Sequence, residues 1–453
     1  MFSGQPKIAT EKGKARRKRG LILGVYSLRK TFLSTFPFWC IPMIYSGVTI
    51  LLGLVFPHLE YRLAGYNHGV TVPVAIAVFS SVAQGMLALT AIVFSLAFVM
   101  VQFSSTAYSP RLILWLSRDP IIWHAMGLFT ATFLYSLVAL IWVDRWGDGR
   151  VPFFSGLLVI LLLIASILVI SLLVQRLALL QVVGVMRFIG EKGRQVIAEI
   201  YPPLTLAEVE KREIETQQQP VISNLPLTQK VVHTGEPMAI AAYNVEALVN
   251  LAKQAEGLIV MPFAVGDVVV EGEAFLTVHG GRFILSQPGL RAAVHLEHQR
   301  TFEQDPKYSL RLLVDIAIKA LSPAVNDPTT AVQALNQIED LLRRLGARDL
   351  EVGQVRDETG VLRLIFPTPT WEDFLMLAFD EIRLYGTSAL QVMRRLRTAL
   401  YDLADALPPQ RQKAIRHYIE HLNIAVKDPI KDTEDQAAAL QQDRQGLGLS
   451  RGL

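Results

Sequence analysis

Residues 71–112 read TVPVAIAVFSSVAQGMLALTAIVFSLAFVMVQFSSTAYSPRL, and no charge interrupts them before Arg111. A helix needs about 20 mostly apolar residues to cross a hydrocarbon core of ~30 Å. This stretch therefore decides the fold class: an α-helical protein embedded in a membrane. At ~1.5 Å per residue, a straight helix over 70–103 is about 50 Å long, more than a bilayer requires. Tilt absorbs part of the excess. The rest is expected to project into the cytoplasm.

Three other stretches meet the same criterion, at 36–56, 121–143 and 151–183. None carries a charge at its centre; Arg176 lies near the end of the last, where its stem can reach the interface. The first span begins too late for a cleaved signal peptide, and no small-residue cleavage site follows it. Four transmembrane helices are expected.

Lys12, Lys14, Arg16, Arg17, Lys18, Arg19, Arg29 and Lys30 precede the first span, which favours a cytoplasmic N-terminus. The loop after the first span holds Glu60 and Arg62, and Arg111 and Arg118 lie between spans two and three. An even number of crossings returns the chain to the cytoplasm, where Arg187, Lys192 and Arg194 follow. The basic start could also hold anionic lipids; the plainer reading is a topology signal.

Charge is split along the chain. Residues 1–187 carry a balance of +11 and residues 188–453 a balance of −7, so the overall +4 does not point to nucleic acid. No basic stripe with interleaved aromatics occurs in the polar half. Cys40 is the only cysteine, which excludes an internal disulfide and a cysteine-based zinc site.

Ser81, Gln84, Ser95, Gln102 and Thr106 recur at spacings close to multiples of 3.6 and so share one face of the second span. An amide facing lipid is costly, so this face must meet protein or water. It lines a polar path between identical subunits, or it glues helices together. Leu87, Phe94 and Phe98 flank it at helical spacing and are the bulky candidates for a gate. Beyond it, Ser109 and Pro110 suit a helix start. Arg111 is a candidate for a lipid phosphate or other anion.

The expected organisation is a basic N-terminus (1–35), a four-helix membrane domain (36–190), a stalk and connector (191–230), a β-rich subdomain (231–290), a helical subdomain (291–427) and a disordered tail (428–453). Gly266-Asp267 and Glu271-Gly272 are turn signals between β-branched runs. The GDVVVEG pattern suggests half of a biotinyl- or lipoyl-type sandwich, without a lysine at a hairpin tip for a swinging cofactor. The polar half is thus an α+β domain with a small β-sandwich-like part. His295 and His298 flank Glu297 but lack the wider context of a zinc helix, so no metal is expected. Ser322, Asn326, Asp327 and Pro328 form a structural corner, with Asp327 as N-cap and Pro328 in the first helical position. Helix-start amides there could bind an anion, but Asp327 would itself occupy them.

Four stretches together carry a resemblance: LALTAIVFSLAFVMVQFSSTAYSPRLI (87–113), RTFEQDP (300–306), DIAIKALSPAVNDPTTA (315–331) and FLMLAFDEIRLYG (374–386). They resemble the domain of unknown function 2254 family of predicted bacterial membrane proteins, from the first span to about residue 424. The resemblance implies a four-helix membrane region, a cytoplasmic domain and a prokaryotic inner membrane, and brings no catalytic residues.

No nucleophile motif, P-loop or dinucleotide-binding glycine pattern is found, so neither an enzyme nor a cofactor is expected. Two readings stay open: a homo-oligomeric channel or transporter-like protein with a cytoplasmic regulatory domain, and a membrane scaffold or sensor whose cytoplasmic domain binds partners.

Overall fold

The computed structural model describes residues 39–63, 69–107, 120–178, 182–204, 225–426 and 430–449. The chain divides into two compact units, one within Leu33–Val185 and the other within Met186–Leu453.

Four helices build the first unit: α1 (Cys40–Leu63), α2 (Val72–Ala107), α3 (Pro120–Leu140) and α4 (Phe153–Ala178). Each is long and apolar enough to cross a membrane, over Cys40–Arg62, Val72–Val99, Pro120–Leu140 and Phe153–Gln175. The protein is a helical membrane protein with four spans. α3 lies at the centre and packs on the other three. Its buried face holds Ala125, Ala131, Thr132, Ser136 and Ala139, small side chains that let backbones approach where lipid supplies no hydrophobic drive. At Gly53 of α1 even a Cβ would lie 2.9 Å from Val138, so α1 and α3 pass closer than a side chain allows. Thr132, Ser136 and Ser166 donate their hydroxyls to carbonyls one turn back, at 2.8–2.9 Å. That satisfies a buried hydroxyl without leaving its own helix.

α1 runs on to Leu63, so Glu60 and Arg62, expected in a loop, belong to its last turns. Glu60 is buried and accepts from the backbone N–H of Phe154 (2.7 Å) and Ser155 (3.0 Å) and from the Ser155 hydroxyl (2.9 Å). Those amides open α4 and have no partner inside the helix, so the carboxylate caps it from another span. Beside it, the Tyr61 and Trp146 rings meet at 5.1 Å, and the Arg145 guanidinium lies 4.3 Å over Trp142. Such amphipathic rings suit a membrane–water boundary.

The second unit opens with most of α5 (Val182–Ile200) and continues through β1 (Leu227–Val232), β2 (Met238–Tyr243), α6 (Val245–Gln254), β3 (Gly257–Val260), β4 (Val268–Val269), β5 (Ala274–Gly280), α7 (Gln287–Ala292) and β6 (Val294–Glu297). Then come α8 (Pro306–Ala320), α9 (Pro328–Gly346), β7 (Gln354–Arg356), β8 (Leu362–Ile365), α10 (Trp371–Gly386), α11 (Leu390–Ala406), α12 (Pro409–Ala425) and α13 (Thr433–Ala439). One sheet has the order β1-β5-β3-β8-β7 and the other β4-β2-β6. All pairings are antiparallel except β3 with β8. Ile240, Ile259, Phe275, Leu276 and Val294 from both sheets share one core. The unit is an α+β domain.

Three expectations change here. From Met186 onward α5 is no bare stalk: Met186, Ile189, Val196 and Ile197 are buried at helical spacing, and Arg194 reaches Asp340 of α9 at 2.9 Å. The chain is not uniformly helical after residue 292, because β6, β7 and β8 return to the sheets. Strands of three or four residues show too little alternation to be read in advance. Finally, residues 430–449 are ordered where disorder is expected. The buried carboxylate of Asp443 gathers the amides of Gln445 (2.8 Å), Gly446 (3.1 Å), Gly448 (2.5 Å) and Leu449 (3.0 Å). Arg394 of α11 holds the carbonyl of Ala438 at 2.7 Å. A polar composition conceals one buried carboxylate with many donors. The basic segment 1–35 and most of the connector, 205–224, lie outside the described residues.

Candidate functional site

The packed face of α2 is set by Ala75, Phe79, Ala83, Met86 and Val93, all buried at 4% exposure or less. At 3.6 residues per turn, the side opposite carries Ser81, Gln84, Gly85, Ala88 and Ser95, and every one of these is exposed. Gln102 continues the exposed side, and Thr106 lies in the last turn of the helix. The other three spans of the same chain therefore leave Ser81, Gln84 and Ser95 uncovered. Leu87, Phe94 and Phe98 are 53%, 60% and 65% exposed and border it. Among the described residues no hydrogen bond reaches the amide of Gln84, which sits near the middle of Val72–Val99. Arg111 and the helix start at Ser109-Pro110 lie outside the described residues.

In the α+β unit, RTFEQDP forms a joint between the sheets and the helices. The Arg300 guanidinium holds one oxygen of Asp305 through Nε (2.8 Å) and a terminal nitrogen (2.7 Å). The other oxygen of Asp305 accepts from the Tyr308 amide and caps α8. Burial raises the Asp305 carboxyl above its ordinary value, and the charge of Arg300 opposes that shift. Gly266 crosses this pair at φ +92, where a Cβ would collide with the Asp305 carboxylate and crowd Arg300; only glycine fits there. Gln304 acts as a strand edge for Tyr243, accepting from its N–H (2.9 Å) and donating to its C=O (3.1 Å).

The other two soluble motifs also meet. Arg311 of α8 forks onto Glu381 of α10 at 2.6 and 2.7 Å and reaches Asp315 at 2.7 Å. At the corner after α8, the Ser322 hydroxyl donates to the carbonyl of Lys319, and Asn326 turns at φ +48. Asp327 accepts from the Thr330 amide (3.1 Å) and hydroxyl (2.6 Å), with Pro328 opening α9. The cap occupies the amide a free anion would need.

His295 lies on strand β6 and contacts Glu297 (3.0 Å), whereas the nearest carboxylate to His298 is Glu236, at 3.9 Å. His233 meets the carbonyl of Glu236 and His279 the Thr277 hydroxyl, so the four do not converge. Sequence reasoning missed another pair. His417 and His421 stand one turn apart on α12 with ring centroids 4.2 Å apart, within an H-x-x-E-H pattern that spacing alone would find. Among the described residues no group of three or more His, Cys, Asp or Glu is placed to hold a metal.

Residues 36–402, spanning the four helices and most of the α+β unit, match the family described as Predicted membrane protein (DUF2254). The chain belongs to this family. Its relatives include Uncharacterized protein Mb1321c of Mycobacterium bovis (strain ATCC BAA-935 / AF2122/97) and Uncharacterized protein Rv1290c of Mycobacterium tuberculosis (strain ATCC 25618 / H37Rv). Each is 28% identical over 372 residues, covering 79% of this chain and 69% of the relative. No solved structure matches. The DUF2254 match spans both the outward stripe on α2 and the Arg300–Asp305 joint.

Proposed function

We propose that this protein is a homo-oligomeric channel or transporter-like protein of the bacterial inner (plasma) membrane, with its α+β unit as a cytoplasmic regulatory domain. The carrying observation is the outward polar face of α2. An amide in hydrocarbon without a partner costs roughly 4–8 kcal/mol on a water-to-alkane scale, so Gln84 calls for a second copy or water. Several α2 helices around an axis supply both: Ser81, Gln84, Ser95, Gln102 and Thr106 line the path, and Leu87, Phe94 and Phe98 narrow it. The basic residues before the first span and after the fourth support cytoplasmic ends, and the N-terminal cluster suits anionic lipid.

The test starts with Cys40→Ser, which removes the single cysteine, and adds Ser81→Cys in lipid nanodiscs. Crosslinked protomers with three or more copies by native mass spectrometry are expected. Gln84→Leu should lower ion or solute flux in proteoliposomes, and Gln102→Glu should turn selectivity towards cations. A monomer ends the proposal. A crosslinked assembly without flux leaves the scaffold or sensor reading.

A further inference from the structure

A cavity of about 190 Å³ lies inside the α+β unit, between the end of α5, the end of β2, the start of α8 and the segment after β8. Tyr201, Tyr243 and Phe366 put aromatic rings on its mostly apolar wall, and Glu199, Asp305 and Lys307 are its charged residues. The volume is below the ~300–1,000 Å³ of drug-sized sites and suits a molecule of about ten non-hydrogen atoms.

Among the described residues, two donors on this wall make no hydrogen bond within the protein. Tyr201 is 2% exposed, and among the described residues its hydroxyl makes no hydrogen bond. The hydroxyl is not sealed off and keeps a little open space beside it, so it is free to donate to a molecule in the cavity. Burial and the nearby charge of Asp305 push its ionisation upward, so it stays a neutral donor. The Lys307 ammonium is 3.9 Å from Asp267, a charge contact beyond hydrogen-bonding range. Asp305 does not draw it closer, because Arg300 and the Tyr308 amide already occupy that carboxylate. Glu199, at the rim, is hydrogen-bonded to Gln195 at 2.9 Å.

We propose that this cavity binds a small planar ring compound carrying a carboxylate, with the ring among Tyr201, Tyr243 and Phe366 and the carboxylate accepting from Lys307 and the Tyr201 hydroxyl. The site requires no path through the membrane unit, so it stands or falls separately from the channel reading.

The probe is benzoate, titrated into the full chain in detergent and followed by saturation-transfer NMR, with benzylamine as the same ring bearing the opposite charge. Saturable benzoate binding is expected, and benzylamine should not saturate. Lys307→Met should weaken benzoate about tenfold or more, the scale of a charge-assisted hydrogen bond. Lys307→Arg should restore most of it. Tyr201→Phe, which keeps the ring and the packing, should weaken it roughly threefold and serves if Lys307→Met does not fold. Absence of saturable benzoate binding to the unaltered protein overturns the proposal. Equal binding of benzylamine, or unchanged benzoate affinity in both Lys307→Met and Tyr201→Phe, also overturns it.

Discussion

In the membrane unit the uncovered polar groups face outward, at Ser81, Gln84 and Ser95 on α2. In the α+β unit the buried charges of Asp305 and Arg395 face inward and are paired, Asp305 with Arg300 and Arg395 with Glu339 at 2.5 Å. The difference comes from the solvent on each side of the boundary. Against lipid, an exposed amide signals a missing protein or water partner. Against water, an exposed amide means nothing, and a buried charge signals a constructed joint. Exposure has to be read against the medium before it says anything about function.

The strongest test of the inward-facing half is Asp305→Ala, which removes the α8 cap and leaves Arg300 beside a buried gap. We expect a loss of about 3 kcal/mol, the low end for breaking a buried pair because Arg300 retains some contact with water. Chemical denaturation in detergent, read by pulse proteolysis, measures it. A loss below about 1 kcal/mol would show the joint to be ordinary surface electrostatics.

Glu60 is the exception that sharpens the contrast, a buried carboxylate in the membrane unit. Glu60→Ala should cost roughly 2 kcal/mol, since three donors at the start of α4 lose their acceptor. Thermal unfolding in detergent micelles reads this. An unchanged melting temperature would mean that water reaches those amides.

Asp327→Ala removes a more exposed cap, so about 1 kcal/mol is expected from the same denaturation measurement. Unchanged stability with altered flux would instead mark the corner as a ligand site.

The smallest effect concerns Asp357, whose carboxylate accepts from the Thr359 hydroxyl, from Arg363 (2.8 Å) and from the Thr359 and Val361 amides in the turn joining β7 to β8. These partners hold its carboxyl well below the usual carboxylate range. A lowered folded value means that the turn's contribution is complete at neutral pH and fades as pH falls through and below that range. The protection factor at Val361, with exchange corrected for its intrinsic pH dependence, should fall on acidification, and Asp357→Asn should flatten that dependence.

Four spans and an α+β remainder were legible in the sequence because both depend on local composition: long uncharged runs in 36–183, then turn signals and β-branched runs around 266–272. The motif stretches could also be picked out one by one. Their meetings could not, because Arg311 finds Glu381 across 70 residues and Gln304 finds Tyr243 across 61. The order at 430–449 was hidden for the same reason, since it rests on Asp443 and on Arg394 of a distant helix.

By itself, then, the sequence determined that this chain lives in a membrane, how many spans it has, and that one face of the second span is polar. Periodicity and hydrophobicity are properties of neighbours along the chain, and a single run contains them. Only the tertiary structure decided that this face points away from its own bundle, that α5 packs into the α+β unit, and that Tyr201 and Lys307 share a cavity. Those outcomes depend on which surfaces the folded chain has left over after packing, and no local pattern records what a distant residue will cover.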